Sequence, residues 1–185
     1  MRGTHRRATF FLGMMFFSMA LAAQDNTWKA RVFGGVGIGR FFDDEGSLGQ
    51  GATYRAGAEW RPLSRLGVQG ELLGIHHTRR DHFQVDGDSA GFSGNAVLYF
   101  SRSRLQPYIL GGLGVLKTSY TYGWPDASLE RYSVSRTELS MNFGGGVLLF
   151  LNRHWSLDPQ VRILVSTPSG YSLANFFSMS ASYHW

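Results

Sequence analysis

The residue types that chemistry most often uses fall into three clusters. Histidines stand together at His76-His77 with His82 close behind, acids at Asp43-Asp44-Glu45 and Asp86-Gly87-Asp88, and glycines at Gly34-Gly35-Val36-Gly37-Ile38-Gly39. A metal site needs several donors to converge. Adjacent residues on a strand point to opposite faces, so His76 and His77 do not share an ion, and a His77–His82 pair has no evident third ligand. The acidic clusters offer the oxygens that calcium takes, with solvated loop charge as the simpler reading. The glycine run looks like a phosphate cradle, which requires a helix N-terminus immediately after it. Arg40-Phe41-Phe42-Asp43-Asp44-Glu45 follows instead, without helical period. These glycines, like Gly111-Gly112-Leu113-Gly114 and Gly144-Gly145-Gly146, are expected to ease strand coiling and leave room between close strands. No metal, cofactor or catalytic residue is expected from the three clusters.

Composition narrows the classes further. The 185 residues suit one domain. Cysteine is absent, which excludes disulfide frameworks, thiolate metal sites and cysteine nucleophiles. The formal charge is +5, but Arg2, Arg6 and Arg7 precede an apolar run and are expected to be removed with it. Fifteen cations then face thirteen acids, so nucleic acid is not an expected partner.

That apolar run extends from Ala8 to Met19 and leads into Ala20-Leu21-Ala22-Ala23-Gln24, whose small residues suit a secretory signal peptidase. It is shorter than the roughly 20 residues a spanning helix needs. The expected organisation is a signal peptide over residues 1–22 and one domain over residues 23–185. Beyond the signal, the longest apolar run is Val147 to Leu151, too short for a helix to cross a bilayer.

The chain after the signal alternates with period two. From Ala52 to Trp60 the even positions are Ala, Tyr, Ala, Ala and Trp, against Thr, Arg, Gly and Glu at the odd ones. From Trp155 to Val165 the apolar set is odd, and Phe177, Met179, Ala181, Tyr183 and Trp185 oppose Ser178, Ser180, Ser182 and His184. The pattern predicts strands over 28–41, 52–61, 66–79, 90–101, 105–120, 135–150, 155–166 and 172–185. Tight turns at Arg61–Arg65, Ser101–Arg104 and Leu151–His154 alternate with longer polar stretches at Asp43–Gly51, Arg80–Ser89 and Gly123–Val134, and a shorter one at Thr167–Tyr171. Short turns on one side and longer loops on the other are the layout of a bacterial outer-membrane barrel. The predicted fold is all-β, an eight-stranded antiparallel up-and-down transmembrane β-barrel. A soluble sandwich or lipocalin-like barrel would alternate too, with its apolar face inward. Aromatics near strand ends favour membrane girdles: Trp28, Phe41, Phe42, Trp60, Tyr99, Phe100, Tyr108, Tyr120, Tyr122, Trp155, Tyr183 and Trp185.

Alternation then assigns the interior. Arg55, Glu59, Gln69, Glu71, Asn95, Glu138, Asn142, Asp158, Gln160 and Arg162 fall on the face away from lipid. Buried charges must be paired and hydrogen-bonded, so Arg55 and Arg162 are expected to bridge among Glu59, Glu71, Glu138 and Asp158. A polar plug is the expected role. The alternative is a polar pore lined by the same side chains, or a carrier that passes small or apolar molecules through the barrel mouth.

The terminal Tyr183-His184-Trp185 resembles the final strand recognised by the outer-membrane assembly machinery, with Tyr183 and Trp185 as the assembly signal. The stretches Leu105 to Val115 and Asn142 to Val147 resemble strands five and six of small eight-stranded barrels like the transmembrane domain of outer membrane protein A. The resemblance implies a Gram-negative outer-membrane protein with both termini in the periplasm, monomeric, surrounded by outer-membrane lipid and lipopolysaccharide. The sequence stops at the barrel, so the peptidoglycan-binding tail of some relatives is expected to be missing. Lipid A deacylases of similar size carry a His-x-Ser motif on the penultimate strand. Here Ser166 is preceded two positions earlier by Leu164, and a serine without an imidazole to take its proton is a poor nucleophile. A non-enzymatic role is therefore expected, with Tyr120-Thr121-Tyr122-Gly123-Trp124 as a candidate contact patch.

Overall fold

The computed structural model describes residues 27–43, 46–80, 84–123, 132–167 and 172–185. Among these residues there are eight strands: β1 (Ala30–Asp43), β2 (Gly46–Leu63), β3 (Leu66–Arg80), β4 (Gln84–Tyr99), β5 (Leu105–Gly123), β6 (Tyr132–Phe150), β7 (Trp155–Thr167) and β8 (Ser172–His184). Each pairs antiparallel with its sequence neighbour, and β1 pairs with β8 from Arg31↔His184 to Phe42↔Leu173, closing a barrel. No helix among the described residues is long and apolar enough to cross a membrane. The signal segment expected over residues 1–22 lies outside the described residues.

The faces follow the alternation. Val36, Ile38, Leu72, Phe92, Leu113, Leu139, Phe143 and Val161 stand exposed on the outer surface, while Arg55, Glu71, Asn95 and Arg162 are buried inside. That polarity rules out the soluble barrel, whose apolar face would be inward. Inside, apolar side chains form two layers. Trp28, Val97, Tyr99, Tyr108, Leu148 and Phe150 fill the end carrying the short turns. Phe41, Leu73, Ile75, Leu116, Leu164 and Phe176 fill the end carrying the longer connections. An ionic layer lies between them.

Two glycines show how little spare room the wall leaves. A side chain at Gly35 would overlap the Met179 carbonyl and the Ser180 hydroxyl across the β1–β8 seam, and one at Gly67 would overlap the Glu59 carboxylate. Of the β1 glycines, Gly35, Gly37 and Gly39 are thus close-approach positions.

Two expectations need correction. The strands run further at the loop end than alternation indicated: β2 begins at Gly46, β4 at Gln84 and β6 at Tyr132, and β5 continues to Gly123. Beyond the bilayer both faces of a hairpin meet water, so the period-two signal disappears while the backbone ladder continues. A bulge accommodates this on β2, where Phe41 pairs with Gly49 and Phe42 with Ser47, and Gly49 takes φ 106°.

The second concerns the girdles. Trp60, Phe100, Trp155, Tyr183 and Trp185 do stand on the outer face, but Trp28, Phe41, Tyr99 and Tyr108 are buried inside. Tyr99 shares the inward parity of Asn95 and Val97, and Tyr108 that of Leu110. Trp28 precedes the β1 ladder and folds across the mouth, its ring 5.7 Å from Tyr99 and 4.8 Å from His184. Position at a strand end sets height, whereas parity sets the face.

Leu72 lies near the middle of β3 on the outer surface, where a charge would meet hydrocarbon. Leu72→Arg is expected to lower stability by about 2–4 kcal/mol in urea titrations of the barrel refolded into vesicles. An unchanged midpoint would mean that this face does not contact lipid.

Candidate functional site

The ionic layer is built from side chains that seven strands aim inward at similar heights. β1 supplies Arg31, β2 Arg55 and Glu59, β3 Gln69 and Glu71, and β7 Asp158, Gln160 and Arg162. Tyr99 enters from β4, Tyr108 from β5, and Ser178 and Ser182 from β8. The six charged side chains are 0–1% exposed.

Two ionic triads result. In the one nearer the turn end, Arg31 Nε lies 2.8 Å from Glu59 Oε2 and Nη1 lies 3.1 Å from Asp158 Oδ2. The Tyr99 hydroxyl donates to Glu59 at 2.8 Å, and the Tyr108 hydroxyl donates to Asp158 Oδ1 at 2.6 Å. In the other, Arg162 grips Glu71 with two bonds of 2.6 and 3.0 Å, the fork geometry in which a guanidinium binds a carboxylate best. Arg55 adds a contact of 3.2 Å to the same carboxylate. Gln160 joins the triads: its carbonyl accepts from Arg55 and Arg162, and its amide donates to the Tyr108 hydroxyl at 2.9 Å. One triad has two acids and one cation, the other the reverse, so the joined layer is neutral. That neutrality is what makes six charges tolerable out of water.

The predicted residues Arg55, Glu59, Glu71, Asp158 and Arg162 all sit in this layer, but the predicted pairing is only partly right. Arg55 and Arg162 both go to Glu71. Glu59 and Asp158 are held by Arg31, a residue absent from the sequence-derived network. Parity with Phe33 was its signal in the sequence; the register that sets it opposite Glu59 belongs to the structure. Glu138 makes no ion pair among the described residues. It is aligned with Leu116, six residues beyond Gly144, the partner of Arg162. Six residues are about 20 Å of strand, too far for a carboxylate to reach the layer.

A fourth buried cation plugs the turn end. Arg61 is buried with its guanidinium 4.1 Å from the Trp28 ring centroid and 3.8 Å from that of Tyr99, and it donates to Gln106 at 3.1 Å. Aromatic faces attract such a cation electrostatically. His184 hydrogen-bonds Ser156 at 2.7 Å beneath it.

At the loop end lies a cavity of about 30 Å³, lined among others by His77, Ser89, Thr118, Glu138 and Ser166. Its volume suits about two waters. His77 is buried against Phe41 at 4.9 Å, and neither ring nitrogen has a hydrogen-bond partner among the described residues. Ser, His and Glu thus share one cavity, a juxtaposition that spacing did not reveal. They are not linked into a proton relay, which requires the imidazole to bond the hydroxyl and the acid. His76 points outward and pairs with Asp88 at 2.6 Å, so it shares no ligand with His77. His82, Asp44 and Glu45 lie outside the described residues, and no three metal-ligating side chains converge among the described ones. Tyr120, half-buried, lines the same cavity with its ring 5.9 Å from His77. Trp124 lies outside the described residues. Tyr183 and Trp185 stand on the outer face at the turn end, Tyr183 lying 5.3 Å from the Trp155 ring.

Glu71→Leu would leave two buried guanidinium groups facing each other, and it is expected to cost about 3–5 kcal/mol in vesicle unfolding titrations. Glu138→Gln is expected to change stability by less than about 0.5 kcal/mol. Equal losses from the two would contradict the pairing described here.

The barrel resembles several solved structures. Neisserial surface protein A is 16% identical with a TM-score of 0.69, the match covering 84% of this chain and 97% of that one. The attachment invasion locus protein Ail of Yersinia pestis is 15% identical with a TM-score of 0.58, covering 85% and 99%. The N-terminal β-barrel domain of Pseudomonas aeruginosa OprF is 15% identical with a TM-score of 0.51, covering 85% and 98%. At such identities the likeness is one of fold. No curated protein matches the chain by sequence. The profile described as outer membrane protein beta-barrel domain matches residues 9–184, nearly the whole chain, and with the closed barrel this makes the protein a member of that family of outer-membrane β-barrels.

Proposed function

We propose that this protein is a non-enzymatic, monomeric barrel of the bacterial outer membrane whose interior is closed and whose loop end meets the surroundings. The observation that carries this reading is the sealed ionic layer: six charged side chains span the lumen at 0–1% exposure, with apolar layers above and below. A pore needs a continuous wet path, and a carrier needs a cavity of molecular size. The loop-end cavity, with room for about two waters, supplies neither. A deacylase reading lacks an activated nucleophile, because Ser166 is buried inside the barrel and His77 bonds to neither Ser166 nor Glu138.

In this reading the short turns and both chain ends face the periplasm, and the extended hairpins project outward among lipopolysaccharide. Tyr183 and Trp185 serve the outer-membrane assembly machinery. Ail, a structural neighbour, is described as an attachment protein, and one of its structures holds the heparin analogue sucrose octasulfate. A role in surface contact is the corresponding expectation for the loop end here.

Single-channel recording in planar bilayers tests the closed interior. The expected record is closed, with small and rare openings, and steady large conductance would overturn the plug. N-terminal sequencing of protein taken from outer membranes tests the leader. A start near Ala23 is expected, and recovery of chains beginning at Met1 would overturn cleavage.

A further inference from the structure

Along the barrel axis the described acids are unevenly placed, whereas exposed cations stand at both ends, Arg40, Lys117 and Arg136 among them at the loop end. Among the described Asp and Glu residues, Glu59, Glu71 and Asp158 lie in the ionic layer, and Asp43, Asp86, Asp88 and Glu138 fall on the loop-end parts of their strands. The turn end carries five exposed cations: Lys29 before β1, Arg65 between β2 and β3, Arg102 and Arg104 between β4 and β5, and Arg153 between β6 and β7. None has an ion pair among the described residues. Arg104 is fixed in place by the carbonyls of Phe150 at 2.7 Å and Leu151 at 3.1 Å. Five like charges around one small rim repel one another, so the rim favours an anionic partner.

Height and neighbours identify the partner's chemistry. Trp60, Phe100, Trp155, Tyr183 and Trp185 stand on the outer face within a few residues of these cations. Such aromatics occupy the headgroup level of a bilayer. The turns also expose leucines beside their arginines: Leu63 and Leu66 flank Arg65, and Leu151 lies near Arg153. An acidic macromolecule in water would leave those leucines wet. A lipid leaflet takes the leucines into its apolar edge and places phosphates beside the arginines. Four of the five cations are arginine, whose planar fork binds phosphate oxygens in pairs.

We propose that the turn-end rim is a collar that binds the phosphates of anionic phospholipid headgroups in the adjacent leaflet. The collar rests on the membrane-spanning fold and is independent of the closed interior.

The tryptophans provide a readout, since Trp60, Trp155 and Trp185 lie at this rim on the lipid side and Trp28 lies inside the barrel. Trp124→Phe removes the fifth tryptophan of the chain. The barrel is refolded into symmetric vesicles containing brominated phosphatidylglycerol or brominated phosphatidylcholine, and fluorescence quenching gives the relative occupancy of the rim. The expected preference for phosphatidylglycerol is about fivefold, equivalent to about 1 kcal/mol for one cation near an anionic surface. It should fall towards parity in the Arg65→Gln, Arg102→Gln, Arg153→Gln triple variant and at about 1 M salt. Heat-modifiable migration on a gel verifies that the variant is folded. No preference in the parent protein, or a preference that the triple variant retains, overturns the collar. Binding of soluble polyglutamate without lipid preference would assign the rim to an acidic polymer and overturn it equally. Symmetric vesicles make the result independent of barrel orientation.

Discussion

Hydrocarbon offers no hydrogen-bond partner, so a strand that crosses it must have its backbone satisfied on both edges. For this chain the pairing of β1 with β8 along twelve register positions, Arg31↔His184 to Phe42↔Leu173, meets that demand. Other features follow from it. A barrel of this strand number has a lumen just wide enough for side chains to fill. The wall must also be thin where strands approach closely, as at Gly35 beside the β8 backbone, and Gly67 leaves its inward space to the Glu59 carboxylate. Closure therefore turns the question of function into one of what fills the lumen and what decorates the two rims.

The filling is not uniformly polar. Layers built on Tyr108 and Phe150 at one end, and on Leu116 and Phe176 at the other, bracket the neutral ionic layer and shield it from water. Buried ion pairs contribute little net stability, because desolvation offsets the attraction. Their value here lies in specificity. Strand side chains alternate strictly, so a one-residue slip in register would move Arg55 and Arg162 from the lumen into lipid. Each such exposure near the bilayer centre costs about 2–4 kcal/mol. The layer thus holds the strands in register and the faces in orientation, and it closes the lumen as a consequence.

Which residues face inward was legible in the sequence, because period two is a local property. Counting assigns Arg55, Glu59, Glu71, Asp158 and Arg162 to the face away from lipid, and all five side chains are buried. Which of them meet was not legible, because contact depends on height, and height depends on the register of strands far apart in sequence. Arg31 and Asp158 are 127 residues apart and hydrogen-bond directly, while Glu138 has the correct face and the wrong height. Tyr99 and Tyr108 show the reverse difficulty. Their heights near strand ends fit a girdle, but their parity and their hydroxyl bonds to Glu59 and Asp158 belong to the interior. The outer hairpin segments escaped detection because alternation requires one wet and one dry face.

Those outer segments remain ordered by a different means. Above the lipid, the ladder is supported by cross-strand polar pairs on surfaces that both touch water. His76 and Asp88 are register partners and bond at 2.6 Å, and Ser119 and Ser135 likewise at 3.2 Å. Such pairs contribute about 0.2–1 kcal/mol each and need no apolar core. They extend the barrel wall past the bilayer at low cost to the lumen, so that the connections are displayed at a distance from the membrane on a wall continuous with the spanning strands. Residues there can change without touching the ionic layer, since the two are separated by the apolar layer containing Leu116 and Phe176. This separation of a register-setting interior from a tolerant outer rim is the physical basis on which one barrel architecture can carry different surface contacts.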